Sequence, residues 1–379
     1  MFKDTIAFIR DLYQTEDFIP LHEPRFIGNE KQYLEDCIDS TFVSSVGAFV
    51  DRFEADMAQF TGAKHAIATV NGTAALHVAL LLAGVERDDE VITQPLTFIA
   101  TCNALSYIGA HPVFVDVDKT TVGLSAEKLE HFLKHETIMV NGACVNKTTK
   151  NKIKAVVPMH TFGFPADIAG IAQLCERYNI ALVEDAAESL GSYYKGQHTG
   201  TFGLLGTLSF NGNKTITTGG GGMILTNDSN LAKAAKHLTT TAKVPHPWNY
   251  EHDRIGFNYR LPNLNAALGC AQLESLPQYL ENKRDLANIY KSFFESQDVI
   301  FIDEPKDTRA NFWLNALLLK NKSERDAFLK ETNDNGVMTR PIWKLMNKLP
   351  MFQHAQTANL DNAEWLEERI VNIPSSVRI

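Results

Sequence analysis

Residues 209–222 read SFNGNKTITTGGGG, and Lys214 is the one charged residue in this stretch. The stretch has no proline and no helical repeat of apolar residues, so we expect a strand at 206–210, a tight loop, and a second strand at 223–227. A lysine that attacks a carbonyl group must be neutral, and a dry setting with few other cations favours the neutral amine. Lys214 is therefore a candidate nucleophile.

Three interpretations of Lys214 compete at this point. The amine can form a Schiff base with a cofactor such as pyridoxal phosphate, or it can bind a phosphate group beside a glycine-rich loop. It can also be an ordinary surface lysine next to a flexible turn. A phosphate-binding loop has its glycines before the lysine and a helix after it, whereas the glycines here follow the lysine and lead into a strand. The Schiff-base interpretation remains, and it requires partners elsewhere in the chain.

The bulk composition excludes several classes of protein. The chain has 379 residues, of which 44% are hydrophobic, and this is enough for a large core and for two domains. A net charge of −9 argues against a nucleic-acid-binding protein, which needs a basic face. The 5 cysteines are scattered without a CxxC pair, and the 12 histidines include no HExxH motif. We therefore expect a reducing compartment, no disulfide scaffold and no metal.

The N-terminal residues 1–14 have the charged and apolar spacing of an amphipathic helix, without the uninterrupted apolar core of a signal peptide. The longest apolar run, residues 74–85, is shorter than the roughly 20 residues that span a bilayer and reads as a buried helix. These features predict a soluble, cytoplasmic protein that does not insert into a membrane.

From residue 65, short apolar runs alternate with helical stretches. This alternation predicts a mostly parallel sheet with helices on both faces, and the unbroken apolar character of the strands indicates that both faces are covered. The seven predicted strands are residues 65–70, 90–94, 112–117, 153–160, 180–185, 206–210 and 223–227.

The pattern changes beyond about residue 250. Residues 263–297 predict one long or broken helix, which is followed by a strand at 312–319, a helix at 323–336 and an extended piece at 337–343. This order predicts a smaller C-terminal α/β domain. We place the large domain at residues 1–255, with its N-terminal segment a candidate to pack on the small domain, and the small domain at residues 256–379.

Polar residues recur at the carboxyl ends of the predicted strands, where open parallel sheets bind ligands. Gly72 and Thr73 follow Asn71 after the first strand and lead into a helix, whose N-terminus can bind phosphate. A simple helix cap explains the same residues equally well. Asp185 ends the fifth strand, and a buried carboxylate there needs a cationic partner. That partner is either a protonated pyridine nitrogen or a structural salt bridge.

Two further residues follow strands of the same sheet. Phe98 can stack on an aromatic ring, although a single phenylalanine usually belongs to the core. His160 either lines the same cleft or caps a turn. Each feature is weak alone, but a phosphate-binding turn, an aromatic ring, a strand-end acid and a loop lysine follow one another on successive strand–helix units. Together they favour the Schiff-base interpretation.

This ordered set resembles the fold type I PLP-dependent transferases, specifically the DegT/DnrJ/EryC1/StrS sugar aminotransferases. The likeness covers nearly the whole chain, through the segments NGTAALHVAL, PLTFIATCNAL, FVDVD, PMHTFGFPADI, LVEDAAESLGS, SFNGNKTITTGGGG and GFNYRLPNLNAALG. Residues 18–30, residues 39–54 and the GGGG run look most like the LegC-type branch. That branch makes UDP-4-amino-4,6-dideoxy-N-acetylhexosamines on the way to bacillosamine and legionaminic acid.

The resemblance implies a role for each motif residue. Lys214 matches the lysine that holds pyridoxal phosphate, Asp185 matches the partner of the pyridine nitrogen, and Phe98 matches the residue stacked on the ring. Glu188 falls where many relatives carry Gln or His near the ring hydroxyl, so an acid there must be protonated or act through other donors. The matches to phosphate ligands are Gly72, Thr73, Ser209 and, from a neighbouring subunit, Asn258. Such sharing implies a homodimer.

The resemblance also implies a reaction. The enzyme would transfer an amino group from L-glutamate to the C4 ketone of a UDP-2-acetamido-2,6-dideoxy-4-ketohexose, with the cofactor alternating between its pyridoxal and pyridoxamine forms (PLP and PMP). Alternatives are a C3 aminotransferase, an enzyme acting on a GDP- or dTDP-4-keto sugar of the perosamine type, and a PLP-binding regulator without turnover. A Rossmann-type nucleotide-binding protein is disfavoured because no GxGxxG follows an early strand.

The sequence also offers candidates for the substrate site. The sugar needs polar and aromatic neighbours, and the diphosphate needs cations or N–H donors. The candidates are His22, His160 and Trp343 for the sugar, and Arg25, Lys243, Arg254, Arg260 and Arg340 for the diphosphate.

Overall fold

The computed structural model describes residues 2–378, so the first residue of the predicted N-terminal helix and the last residue of the predicted small domain lie outside it. Each segment predicted as a helix forms one in the described residues, whereas the helices at 229–239 and 361–367 were not predicted. The predicted 263–297 segment is one continuous helix that contains Pro277. The helices are α1 Lys3–Tyr13, α2 Glu30–Asp39, α3 Ala48–Thr61, α4 Gly72–Leu82, α5 Ile99–Ile108, α6 Ala126–Glu136, α7 Ile168–Arg177, α8 Ser229–Thr239, α9 Asn263–Phe294, α10 Lys322–Asp334 and α11 Asp361–Glu367.

The central sheet has seven strands, and each lies within three residues of its predicted position. They are β1 His65–Thr69, β2 Glu90–Thr93, β3 His111–Phe114, β4 Ile153–Val157, β5 Ala181–Asp185, β6 Leu205–Ser209 and β7 Gly222–Thr226. Their order across the sheet is β1-β7-β6-β5-β4-β2-β3. Strand β7 is antiparallel to both of its neighbours, and the remaining pairs are parallel. The predicted mostly parallel seven-stranded sheet is confirmed.

Helices cover both faces of this sheet. Alternate residues of a strand point to opposite faces, so each strand contributes apolar side chains to both layers of helices. Val91 and Val183 point to the face covered by α4, α5 and α8. Ile92 and Leu182 point to the other face, where α6 and α7 pack. At the β1 end of this second face, Phe53 of α3 packs with residues of α9. Double coverage explains why the strands read as unbroken apolar runs.

A second, smaller sheet follows in the C-terminal part of the chain. Its strands are β8 Ile300–Phe301, β9 Asn315–Leu318, β10 Arg340–Pro341 and β11 Ile370–Ile373, in the antiparallel order β8-β9-β11-β10. Ile6 and Ile9 of α1 pack against Leu286 of α9 and Phe328 of α10, so the N-terminal helix contacts this C-terminal layer. Among the described residues, no helix combines the length and apolarity needed to cross a membrane.

The topology of the large sheet brings the functional candidates together. The carboxyl ends of the parallel strands β1, β2, β4, β5 and β6 meet at one edge of the sheet. The segments that leave these strands carry the residues predicted at strand ends. The loop between β6 and β7 holds Lys214 at this same edge.

Candidate active site

A cavity of about 330 Å³ lies at this edge of the central sheet. Its wall is formed by the segments that follow the strands and by two tryptophans from the C-terminal part of the chain. Eight residues predicted from the sequence line it: Gly72, Thr73, Phe98, Asp185, Glu188, Ser209, Lys214 and Trp343. The structure therefore gathers most of the predicted cofactor residues around one space.

The N-terminus of α4 forms one end of the cavity. The Asn71 side chain accepts a hydrogen bond from the Ala74 N–H (2.8 Å) and so caps the helix. A Cβ atom at Gly72 would lie 2.8 Å from the Ser209 Cβ, so only glycine lets this turn approach Ser209 so closely. The first N–H groups of the helix, together with the hydroxyls of Thr73 and Ser209, form a donor set that suits a phosphate dianion.

Asp185 is buried at the carboxyl end of β5, and its carboxylate accepts two hydrogen bonds. The Thr101 hydroxyl donates to Oδ2 at 2.8 Å, and the Ala187 N–H donates to Oδ1 at 3.2 Å. These bonds fix the orientation of the carboxylate in the cavity wall. Thr101, on α5, did not emerge from the sequence, since nothing in its local pattern indicates a contact with β5.

Glu188 and Lys214 approach each other across the cavity floor. The Lys214 Nζ lies 3.4 Å from the Glu188 Oε1, and the Phe162 N–H donates to Oε2 at 2.9 Å. Burial raises the pKa of Glu188 to about 7, against the opposing effect of the Lys214 charge. Near neutral pH this carboxyl group therefore exists in both protonation states. That an acid at this position is protonated or acts through other donors beside a cofactor stays a prediction.

Trp313 is a cavity residue that the sequence did not predict. Its ring centre lies 4.2 Å from the Lys214 Nζ, and its indole N–H donates to the Asn213 carbonyl at 2.7 Å. The sequence placed Trp313 in a strand at 312–319, but the strand begins at Asn315. The available signal was a tryptophan two residues from Asn311 and from Asn315, just ahead of an aliphatic strand.

The predicted aromatic and histidine candidates take different positions. Phe98 is 49% exposed and lines the cavity, and it makes a T-shaped contact with Trp343, with ring centres 6.4 Å apart. The ring nitrogens of His22 are buried, and burial, followed by the charges of Lys283, Arg25 and Lys214, holds the pKa of His22 well below its ordinary value.

His160 lies outside the cavity. Its side chain is fully buried, its Nε2 lies 3.1 Å from Glu184 Oε2, and its Nδ1 accepts from the Ala166 N–H at 3.2 Å. Those contacts turn the ring beneath the strand ends and away from the cavity. A strand-end position alone therefore does not decide where a side chain points.

The remaining basic candidates and Asn258 also lie outside the lining of this cavity. The Arg25 Nε donates to the Val377 carbonyl at 3.0 Å, and its guanidinium pairs with Glu23. Arg340 is exposed on β10. Lys243 is exposed and lies over the Tyr250 ring. Arg254 and Asn258 are exposed, and Arg260 is half-exposed.

Comparison with known proteins places the chain in a family. The family model of the DegT/DnrJ/EryC1/StrS aminotransferases matches residues 24–379. The chain is 38% identical over 358 residues to a GDP-perosamine synthase from Escherichia coli O157:H7, covering 94% of this chain and 93% of the relative. It is 36% identical over 360 residues to a GDP-perosamine synthase from Vibrio cholerae, covering 94% of each protein.

A solved structure supports the same assignment. The aminotransferase TlmJ from Streptoalloteichus hindustanus superposes with a TM-score of 0.85 at 26% identity, covering 94% of this chain and 93% of that one. The chain therefore belongs to the DegT/DnrJ/EryC1/StrS aminotransferase family, and it is a sugar aminotransferase of that family. The fold type I and family predictions are confirmed, whereas the LegC-type branch stays a prediction.

The buried Glu188 predicts how stability depends on pH. Because its pKa is raised in the folded protein, its ionisation destabilises the fold as pH rises through about 7. Glu188→Gln never ionises, so we expect its free energy of unfolding, relative to the wild type, to increase between pH 5 and pH 8 by on the order of 2 kcal/mol. Urea unfolding of the cofactor-free proteins measures this difference. Glu35→Gln, at an exposed position, is the control, and an equal change in both variants would contradict the assignment.

Proposed function

We propose that the protein is a PLP-dependent aminotransferase that moves an amino group from L-glutamate to the C4 ketone of a nucleotide-linked 4-keto sugar. One observation carries the proposal: Lys214, Asp185, Glu188 and the N-terminus of α4 share a single cavity. Aminotransferases of this family depend on pyridoxal phosphate, and this supports the choice of cofactor.

The residues present fit that cofactor in size and chemistry. The donor set at Gly72, Thr73 and Ser209 suits a phosphate group. A carboxylate that is buried and held in place, as Asp185 is, suits a protonated ring nitrogen. The exposed ring of Phe98 suits an aromatic face. When bound, the cofactor supplies an electron-withdrawing ring that makes the C–H bond beside the donor nitrogen acidic.

Lys214 and Glu188 are positioned for proton transfer. The Lys214 Nζ would hold the cofactor and then move a proton at the reacting carbon as general acid and base. Glu188 lies 3.4 Å from that amine with a pKa of about 7, so it can exchange a proton with Lys214 at neutral pH. Trp313 and Trp343 close the cavity wall and limit the access of water to the amine.

Two nucleotides are candidates for the substrate. Residues 18–30 and 39–54 favour a UDP-2-acetamido-2,6-dideoxy-4-ketohexose, because of their likeness to the LegC-type branch. The similarity to GDP-perosamine synthases over 94% of the chain favours a GDP-4-keto-6-deoxy sugar. Trp343, in the cavity wall, supports a sugar site there. His22 does not line the cavity, but it stays a candidate because the charge of Lys214 contributes to its lowered pKa.

We also propose a homodimer with shared active sites, working in the cytoplasm. Asn258 matches a phosphate ligand by family resemblance, yet it is exposed and does not line the cavity of its own subunit. A position of this kind suits a residue that reaches the cavity of a second copy. The five cysteines are free and buried, as suits a reducing compartment.

Lys214→Ala tests the covalent role of the lysine. We expect the variant to lose both the visible absorption band of the protein-bound cofactor and the conversion of glutamate to 2-oxoglutarate, because no other lysine lines the cavity within the described part of the chain. Absorption spectra and a coupled glutamate assay measure the two effects. Lys306→Ala, at an exposed position, serves as the control. A variant that keeps the band would contradict the assignment of Lys214.

Mixing of two inactive variants tests the shared site. Lys214→Ala removes the amine, and Asn258→Asp places a negative charge where a phosphate ligand is proposed. If each site combines Lys214 of one subunit with Asn258 of the other, mixed dimers contain one intact site. We therefore expect activity to return after the two proteins are unfolded together and refolded. Activity that stays at the level of the separate variants would mean that both residues serve the same subunit.

A substrate panel tests the nucleotide and the ring position. We expect turnover with a 4-keto sugar linked to UDP or GDP, and at least tenfold lower kcat/KM with a dTDP-linked or 3-keto sugar, since each misplaced contact weakens transition-state binding. Product NMR identifies the aminated carbon and its configuration. A bound cofactor without turnover on any sugar would favour the regulator instead.

A further inference from the structure

Lys283 is a fully buried lysine that has no part in the proposed chemistry. It lies on α9, and its Nζ donates to the carbonyls of Ser375 at 2.7 Å, Trp313 at 3.1 Å and Phe312 at 3.5 Å. An ammonium group has three donors, and three backbone carbonyls surround this one. They belong to two segments, the bend before β9 and the chain that follows β11.

The bend that Lys283 contacts has a strained backbone. Phe312 has a φ of 47°, in the left-handed region that bulky residues avoid, and its side chain is buried. Such a conformation persists only when its surroundings hold it. The Asn311 side chain holds one end of the bend, because it donates to the carbonyls of Glu188 and Leu190 at 2.9 Å and accepts from the Trp313 N–H at 2.8 Å. Lys283 holds the other end.

The same bend carries the ring that packs on the reactive amine. Trp313 donates its indole N–H to the Asn213 carbonyl, next to Lys214, and its ring centre lies 4.2 Å from the Lys214 Nζ. Contacts therefore run without interruption from Lys283 through Trp313 to Lys214.

We propose that Lys283 is a positioning residue, whose hydrogen bonds to the Phe312 and Trp313 carbonyls hold the Trp313 ring where it fixes the Lys214 amine. The expected effect on kcat rests on the proposed aminotransferase function, whereas the expected effect on the position of Trp313 and Lys214 does not. Lys283 itself contacts neither the cavity nor the amine.

The energetics separate this role from a purely structural one. Burial lowers the pKa of Lys283 to about 7, so the fold carries a desolvation penalty for the charged amine. An apolar side chain of similar length would avoid that penalty, and replacement of buried charges by apolar residues is often neutral or stabilising. The stability of the fold therefore gives no reason for a lysine at this position, whereas its hydrogen bonds to the bend do.

Lys283→Met and Lys283→Gln test the proposal, with Lys291→Met as the matched control. Lys291 lies on the same helix, but it is about half exposed and pairs with Asp303. Hydrogen–deuterium exchange of the cofactor-free proteins reports on the loop at residues 210–218, where the amides of Lys214 and Thr218 are hydrogen-bonded at 3.0 Å. Strand β2 serves as the reference for global opening.

We expect exchange at 210–218 to be about tenfold faster in Lys283→Met, with β2 unchanged, because the loop loses the support of Trp313. Lys283→Gln keeps two N–H donors, so its effect should be smaller. Lys291→Met should match the wild type. In the loaded enzyme, kcat of the glutamate half-reaction should fall about tenfold in Lys283→Met with KM little changed, because the amine is misplaced while substrate contacts remain.

Several results would overturn the proposal. Exchange and kcat in Lys283→Met equal to those of Lys291→Met would mean that Lys283 does not position the bend. Faster exchange in every segment, β2 included, would assign it a purely structural role, as would failure of both Lys283 variants to fold. If the wild-type enzyme showed no turnover, the proposed function would be wrong. The exchange comparison would still test the role of Lys283.

Discussion

The balance of charge inside the cavity is the constraint on which the site depends. Asp185 and Glu188 are both buried, and one lysine, Lys214, faces them. Two carboxylates and one ammonium leave an excess of negative charge that a buried space disfavours. A cationic ring nitrogen beside Asp185 would remove the excess, and a proton on Glu188 would do so as well. Burial is the main cause of the raised pKa of Glu188, the charge of Asp185 adds to it, and the charge of Lys214 opposes it.

The central sheet and one half of the site could be predicted because their signals are local. Each apolar run predicted as a strand of the large sheet became one, Asp185 ends such a strand, and Gly72, Thr73 and Lys214 lie in the segments that follow strands. Parallel strands bring their carboxyl ends to one edge, so topology alone gathers these residues. No knowledge of side-chain packing was needed. The small C-terminal sheet was predicted less fully. β9 and β10 lie within the predicted strand and extended piece, whereas β8, which is only two residues long, and β11 were not predicted.

The other half of the site depends on tertiary packing. Thr101 reaches Asp185 from α5, and Trp313 reaches Lys214 from a bend before β9. Neither residue stands next to its partner in the sequence, and neither belongs to a recognisable motif. His160 illustrates the converse, since it follows a strand like the true cavity residues but is turned away by Glu184 and Ala166. Sequence position determines the edge of the sheet a residue reaches, and packing determines the direction of its side chain.

Costly features concentrate at and behind one wall of the cavity. Glu188 in the wall is a buried acid, and behind the wall Lys283 is a buried base and Phe312 has a left-handed backbone. Each lowers stability on its own, and proteins concentrate such features where function constrains geometry. They are also connected, because Asn311 donates to the Glu188 carbonyl and binds the Trp313 N–H. The apolar layers of the large sheet, distant from this wall, supply the stability that offsets them.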